Sequence, residues 1–319
     1  MSRKFVIGSR GSELALWQAR YVMASLKSGF PKREFEIKII NTTGDQVLDT
    51  ALSKIGDKGL FTRQIETELQ SGAIDFAVHS LKDLQTDQPD GLMIGAVCKR
   101  EVPNDIFISK IGGSIDDLPL GAKVATGSLR RKSQILSYRP DLEIVEIRGN
   151  VPTRLRKFDE SGLDGLILAY AGVHRLGFHD RITGLIPFKI MLPAVGQGAV
   201  AIEIRVSDTV VLEMAESLND SPTNLCITSE RAFLRRLDGG CQVPIGALAI
   251  IDGDGRLKLE GMVGQLDGSV IMRESFSGPA TTAESIGLTL AEKLIEKGAA
   301  KLLEAARAEV EHSAKAVVR

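Results

Sequence analysis

The sequence is short of several things. Its 319 residues include three cysteines, one tryptophan, three tyrosines and four histidines, and aromatics make up only 5%. Cys98, Cys226 and Cys241 are too few and too scattered for a disulfide framework or a zinc site. His79, His174, His179 and His312 show no metal-ligand spacing, so no metal is expected. Net charge is missing too: 40 basic residues against 41 acidic ones leave −1. That provides no overall field to attract nucleic acid or a membrane, and the sparse aromatics offer little for bases to stack on. No apolar run approaches membrane-spanning length and no apolar leader precedes the first strand, so a cytoplasmic protein with neither kind of partner is expected. Any cationic site must be local.

What is present is α/β patterning over two or three domains' worth of chain. Phe5-Val6-Ile7 reads as a strand closed by Gly8-Ser9-Arg10-Gly11-Ser12. Ser12 is placed to cap a helix whose apolar stripe is Ala15, Ala19, Val22 and Leu26. Phe35, Ile37 and Ile39 alternate as a second strand, which makes a βαβ unit and predicts a parallel sheet. Ligands of such sheets sit beyond the carboxyl ends of the strands, where Arg10 and Ser12 lie. A surface arginine and a plain helix cap are the alternative. Lys54 and Lys58 stand among glycines in a loop leading to Phe61, and Thr62 is placed to cap the next helix. A strand through Ile74, Phe76 and Val78 ends at His79-Ser80-Leu81-Lys82-Asp83. Asp83, beside Lys82, is the best acid–base candidate, against the reading of a turn aspartate.

Positive residues then recur after successive strands. Val124-Ala125-Thr126 feeds Gly127-Ser128-Leu129-Arg130-Arg131, a small-residue turn opening a helix, suited to an anion but lacking the phosphate-loop spacing. Arg148-Gly149-Asn150 closes a strand over Leu142 to Ile147. Arg154 and Arg156 follow on a helix begun at Pro152, and Arg175 follows a strand ending at Ala169. In a chain of near-zero net charge this recurrence implies a polyanionic small ligand, and arginine presents the fork that carboxylates fit. Segments at Arg100 to Asp105 and Leu192 to Glu203 read as two crossings between lobes, which makes a hinged, clam-like pair.

The remaining chain changes character. Ser221-Pro222 is read as a helix start, with Thr281 and Glu284 as a capping box for a later helix. Three strands (Val243 to Ile250, Leu257 to Val263, Ser269 to Phe276) joined by Asp-Gly turns predict an antiparallel sheet. The expected division is 1–98 with 199–216, then 99–198, then 217–319. Between helix and sheet stands Leu237-Asp238-Gly239-Gly240-Cys241-Gln242. A cysteine in a double-glycine loop, with Arg231, Arg235 and Arg236 near in sequence, reads as a reactive thiolate; a small buried side chain is the alternative.

Taken in order, Arg10 to Ala19, Lys58-Gly59-Leu60-Phe61, His79 to Asp83, Ser128 to Arg131, Arg148-Gly149-Asn150, Leu192 to Val200 and Gly239 to Gly246 resemble the porphobilinogen deaminase family nearly end to end. The resemblance implies two lobes of the periplasmic-binding-protein (type II) kind with hinge crossings, plus a small α+β C-terminal domain. It implies a monomeric enzyme that carries a dipyrromethane cofactor on Cys241 by a thioether and joins four porphobilinogen units, each losing ammonia, before hydrolysis releases hydroxymethylbilane. Asp83 is then the catalytic carboxylate. Arg10, Ser12, Lys82, Thr126, Ser128, Arg130, Arg131, Arg148, Arg154 and Arg175 would hold carboxylates, and Lys54, Lys58 and Phe61 belong to the active-site loop. Gln85 and Gly127 depart from the family pattern, which often has proline and serine there. The competing class is a non-catalytic two-lobe anion receptor, which leaves Asp83, the cysteine loop and the third domain unexplained.

Overall fold

The structure is a computed structural model that describes residues 3–46, 59–239 and 243–317. Cys241, Lys54 and Lys58 lie outside the described residues. The chain forms two compact units: one takes the described residues of 1–48, 57–101 and 198–224, the other those of 102–197 and 225–319.

The first unit is built on the predicted βαβ start. Strand β1 (Lys4–Ser9) pairs in parallel with β2 (Glu34–Ile39), with Phe5 opposite Phe35 and Ile7 opposite Ile37. Helix α1 (Glu13–Gly29) buries Ala15, Ala19, Val22 and Leu26, the stripe that the 3.6-residue period selects. Ser12 caps it, accepting from the Ala15 N–H at 3.3 Å. Strand β3 (Phe76–Ser80) runs parallel to β1, and β4 (Leu92–Val97) and β10 (Val200–Arg205) complete the order β2-β1-β3-β10-β4. The sheet is mixed, not all parallel as expected, because β10 is antiparallel to both neighbours. The reason is its point of entry. It begins at Val200 opposite Ser80, the last residue of β3, and can only run back. Phe5, Ile7, Phe76 and Ile202 form the core of this sheet, each at most 1% exposed. Burying side chains of this size is worth roughly 1.5–3 kcal/mol each. After two short helices, α2 (Thr43–Gln46) and α3 (Arg63–Gln70), one cap departs from expectation. Thr62 stands at the α3 N-cap with ψ −34°, outside the extended geometry a capping oxygen needs, and makes no capping bond.

The second unit repeats the arrangement. Its strands β5 (Asp105–Ser109), β6 (Lys123–Ala125), β7 (Glu143–Val145), β8 (Gly165–Ala169) and β9 (Gly184–Leu185) are ordered β7-β6-β8-β5-β9, with β5 antiparallel to β8 and β9. Helices α4 (Leu129–Tyr138), α5 (Val151–Asp159) and α6 (Tyr170–Arg175) connect them. After α7 (Thr209–Glu216), helix α8 (Ser221–Arg236) leads toward a three-stranded antiparallel sheet of β11 (Ile245–Ile251), β12 (Arg256–Gly264) and β13 (Ile271–Pro279), covered by α9 (Ala283–Glu296) and α10 (Ala299–Val317). Asp220, not Ser221, caps α8, accepting from the Thr223 N–H at 3.0 Å. The capping box at Thr281 and Glu284 does not form. A 3-10 turn over Ala280–Thr282 precedes α9, Thr282 donates back to the Pro279 carbonyl, and Glu284 pairs with Arg235. The buried Glu230 of α8 accepts from the Gly196 N–H at 2.8 Å and from the Ala249 N–H at 2.9 Å, which joins the second crossing segment to β11.

Candidate active site

In the first unit, β1 and β3 are parallel neighbours, so the residues that follow them emerge at one edge of the sheet. Arg10 follows β1, and Asp83 ends a 3-10 turn over Leu81–Asp83 that follows β3. Both line a cavity of about 60 Å³ together with Ser12, Gln18, Phe61 and His79. The Arg10 guanidinium lies 4.0 Å from the centre of the Phe61 ring, so the aromatic face supports it. Ser12 uses its hydroxyl as the α1 cap. Asp83 is exposed and Lys82 half-buried. In the cavity wall His79 Nε2 is 3.0 Å from Glu203 Oε2, and both residues are buried. Gln85 is accounted for by its neighbour. Gly59 has φ +89°, and a Cβ there would fall 2.7 Å from Gln85 Nε2, so the amide occupies the space the missing side chain leaves.

In the second unit, β6 is followed by the buried Thr126, whose Oγ1 accepts from the Ser128 N–H at 3.3 Å. Ser128 is the N-cap of α4, accepting from the Arg131 N–H at 3.5 Å. Gly127 is also accounted for: a Cβ there would stand 2.7 Å from the Ile147 carbonyl oxygen. Arg130 and Arg131 turn inward, each 5% exposed. Arg130 Nη1 reaches Asp105 at 2.7 Å and the Leu192 carbonyl at 2.5 Å. Arg131 donates through Nε and Nη2 to Asp105 at 3.0 and 2.8 Å and through Nη1 to the Ile167 carbonyl. Gln197 adds a third donor to the same carboxylate at 3.0 Å. Burial alone would raise the Asp105 carboxyl, but the two guanidinia outweigh it and hold it far below the carboxylate range, while burial pulls Arg130 down. Two cations share one anion here.

Arg148 is half-buried, and its Nη1 is enclosed with no acceptor among the described residues. Desolvation lowers its pKa, with Glu146 opposing. Arg154 Nε donates to the Gly149 carbonyl at 2.7 Å, and Arg175 is half-buried in the last turn of α6. Next to Cys241 in sequence, Asp238 takes φ 49°, and Arg307 of α10 donates to the Asp238 carbonyl at 2.6 Å. Arg235 and Arg236 turn to Glu284 and Glu292 on α9, each at 2.6 Å, so their charge is directed to that helix.

Asp105, Glu203 and Arg307 were not singled out by sequence reasoning. Asp105 had one available signal: it is a carboxylate at the head of the unbroken apolar run Ile106-Phe107-Ile108, where a charge needs a partner.

The two units define a mixed α/β protein with two five-stranded sheets, arginines and a carboxylate beyond their strand ends, and a three-stranded antiparallel C-terminal sheet. Two family models match the chain: "porphobilinogen deaminase, dipyromethane cofactor binding domain" over residues 5–213, and the C-terminal domain of the same enzyme over residues 224–296. A porphobilinogen deaminase of Pelotomaculum thermopropionicum is 52% identical over 309 residues, covering 97% of this chain and 99% of its own. That of Carboxydothermus hydrogenoformans is 50% identical over 307 residues, covering 96% and 98%. Among solved structures, the methionine-binding protein MetQ aligns with TM-score 0.44 at 15% identity, over 67% of this chain and 89% of its own. A periplasmic substrate-binding protein from Coxiella burnetii aligns with TM-score 0.43 at 13% identity, over 71% and 96%. The chain belongs to the porphobilinogen deaminase family.

Proposed function

We propose that the chain is a transferase of tetrapyrrole biosynthesis that deaminates porphobilinogen, joins four units head to tail on a covalently held dipyrromethane, and releases hydroxymethylbilane by hydrolysis. The second unit supplies the observation that carries this reading. In it Arg130 and Arg131 share Asp105, and Arg148 Nη1 is enclosed with no acceptor among the described residues. Pyrroles bearing acetate and propionate groups bring the missing anions, so the donor set fits the cofactor. When bound, the dipyrromethane supplies the pyrrole ring to which the first new unit is joined.

The roles of the individual residues are proposed as follows. Arg148, Arg154 and Arg175 hold carboxylates, helped by Thr126 and Ser128 at the α4 N-terminus, while Arg130 and Arg131, committed to Asp105 and to backbone carbonyls, fix that helix end from behind. In the first unit Arg10, Ser12 and Lys82 do the same. Asp83, exposed in the Arg10 cavity, keeps its negative charge near the cation that forms as ammonia leaves, and receives the proton displaced at each condensation. Phe61 braces Arg10 from the loop that also carries Lys54 and Lys58. Cys241 is the attachment point. The division into 1–98 with 199–216, 99–198 and 217–319 remains part of the proposal; the first has its own apolar core, whereas the other two share apolar contacts through Val195 and Leu192. No helix among the described residues is long and apolar enough to cross a membrane. A cytoplasmic monomer that binds no nucleic acid is part of the proposal. The alternative, a non-catalytic anion receptor, is not favoured, because the match runs through both enzyme domains.

Intact mass tests the reading. Purified protein is expected to exceed its sequence mass by two pyrrole units, and Cys241→Ser to lose that excess along with the ability to turn porphobilinogen into coloured uroporphyrin. An active protein of unmodified mass would refute it.

A further inference from the structure

The wall of the Asp83 cavity contains charge that the reading above leaves unused. His79 and Glu203 sit on adjacent antiparallel strands, with His79 opposite Ala201 and Glu203 two residues further along β10. Their side chains are 4% and 0% exposed and meet at 3.0 Å. Glu66 on α3 is also buried, and one carboxylate oxygen on each of Glu66 and Glu203 is enclosed without a hydrogen-bond partner among the described residues. A buried carboxylate left ionised and unpaired costs several kcal/mol, so the His79 contact matters to Glu203. Burial pushes the Glu66 carboxyl up and the charge of Glu203 adds to the effect, against Thr62, His79 and Arg63, which lower it. Arg10 after β1 and Asp83 after β3 line the same cavity as His79, Lys82 adjoins Asp83 in the 3-10 turn, and Arg63 at the start of α3 acts on Glu66.

We infer that His79 and Glu203 are the proton store of the Asp83 cavity. The inference rests on the role proposed for Asp83. Each condensation replaces a ring C–H bond by a C–C bond. The C–H electron pair stays in the ring and the proton passes to the Asp83 carboxylate. The proton moves on to the His79 imidazole, which lines the same cavity and whose Nε2 lies 3.0 Å from Glu203 Oε2. It then returns by Asp83 to the departed ammonia, forming ammonium, and Asp83 is ionised again before the next unit arrives. His79 is therefore a positioning residue that acts through Asp83.

Two readouts test this. The wild-type imidazole of His79 is followed by NMR against pH, assigned by elimination with His174→Gln, His179→Gln and His312→Gln. The acid limb of kcat is measured on the same preparations. The His79 midpoint is expected to coincide with the limb. Glu203→Gln removes the anion that favours imidazolium, so it should move both toward lower pH by about one unit or more. His79→Gln should abolish the limb and lower kcat roughly tenfold or more, with KM nearly unchanged. Glu66→Gln keeps the size of the side chain and should leave the limb in place. A His79 midpoint separate from the limb, a folded Glu203→Gln with an unmoved limb, or a limb shifted by Glu66→Gln overturns the inference. If Glu203→Gln does not fold, the wild-type comparison decides alone. The NMR titration reads the pair whatever Asp83 does, so failure of the store is distinguishable from failure of the Asp83 assignment.

Discussion

Asp105 and Arg131 face each other in the second unit with one carboxylate oxygen 3.0 Å from Nε and 2.8 Å from Nη2 of the guanidinium. Neither side chain is more than 6% exposed. Removing the carboxylate strands this cation and Arg130 with it. Asp105→Asn is therefore expected to lower stability by about 3–5 kcal/mol in chemical denaturation at neutral pH. The pH dependence follows from sign. The folded carboxyl lies below its unfolded value, so its contribution is full above the unfolded pKa of about 3.9 and fades as pH falls below it. The stability gap between wild type and Asp105→Asn should narrow in acid and hold steady from pH 6 to pH 8 or so.

Asp83→Asn keeps the side chain's shape and removes its charge. Exposed in its cavity, Asp83 makes little contribution to packing, so the melting temperature should stay near that of wild type. Turnover of porphobilinogen should fall roughly 10²-fold or more while the substrate is still bound. Near-normal turnover would assign the chemistry to another group.

Arg148 gives an opposed pair of effects. Its enclosed Nη1 finds no acceptor among the described residues, which costs the cofactor-free protein stability. Arg148→Met should therefore raise the stability of the cofactor-free form by about 1 kcal/mol. The same change should slow acquisition of the dipyrromethane mass. Cofactor assembly at the wild-type rate would show that this guanidinium does not serve a pyrrole carboxylate.

Gly127→Ala tests the turn between β6 and α4. The new Cβ would lie 2.7 Å from the Ile147 carbonyl oxygen, so one backbone segment has to move. A loss of about 1–3 kcal/mol is expected in urea unfolding, with a smaller loss for a serine only if its hydroxyl finds a partner.

The readable parts of this chain were those where local chemistry and tertiary packing agree. The α1 stripe, the Ser12 cap and the Asp-Gly hairpins of β11 to β13 each follow from a few adjacent residues. Arg10 and Asp83 were placed correctly at strand ends because parallel strands bring their carboxyl ends to one edge. What escaped were partners distant in sequence. Nothing near Arg130 and Arg131 announces Asp105, and an arginine bound inward looks the same in sequence as one awaiting a ligand. Glu203 lies in an alternating segment and reads as solvent-facing, yet both faces of β10 are covered. Thr62 and Thr281 met the composition rule for caps, but the backbone at their helix starts took other geometry.

Glu230 has a consequence for how the second unit comes apart. Its two acceptor bonds end on amides 53 residues apart by their numbers, Gly196 and Ala249, and the carboxylate itself sits on a third element, α8. No one of these segments can peel away without leaving a charge stripped of its donors in a dry interior, a penalty of several kcal/mol. Local fraying is thus suppressed at the place where the second crossing segment meets β11. The C-terminal sheet and the lobe that precedes it in the chain are bound into one cooperative unfolding step, although the sequence separates them with another stretch of the first unit.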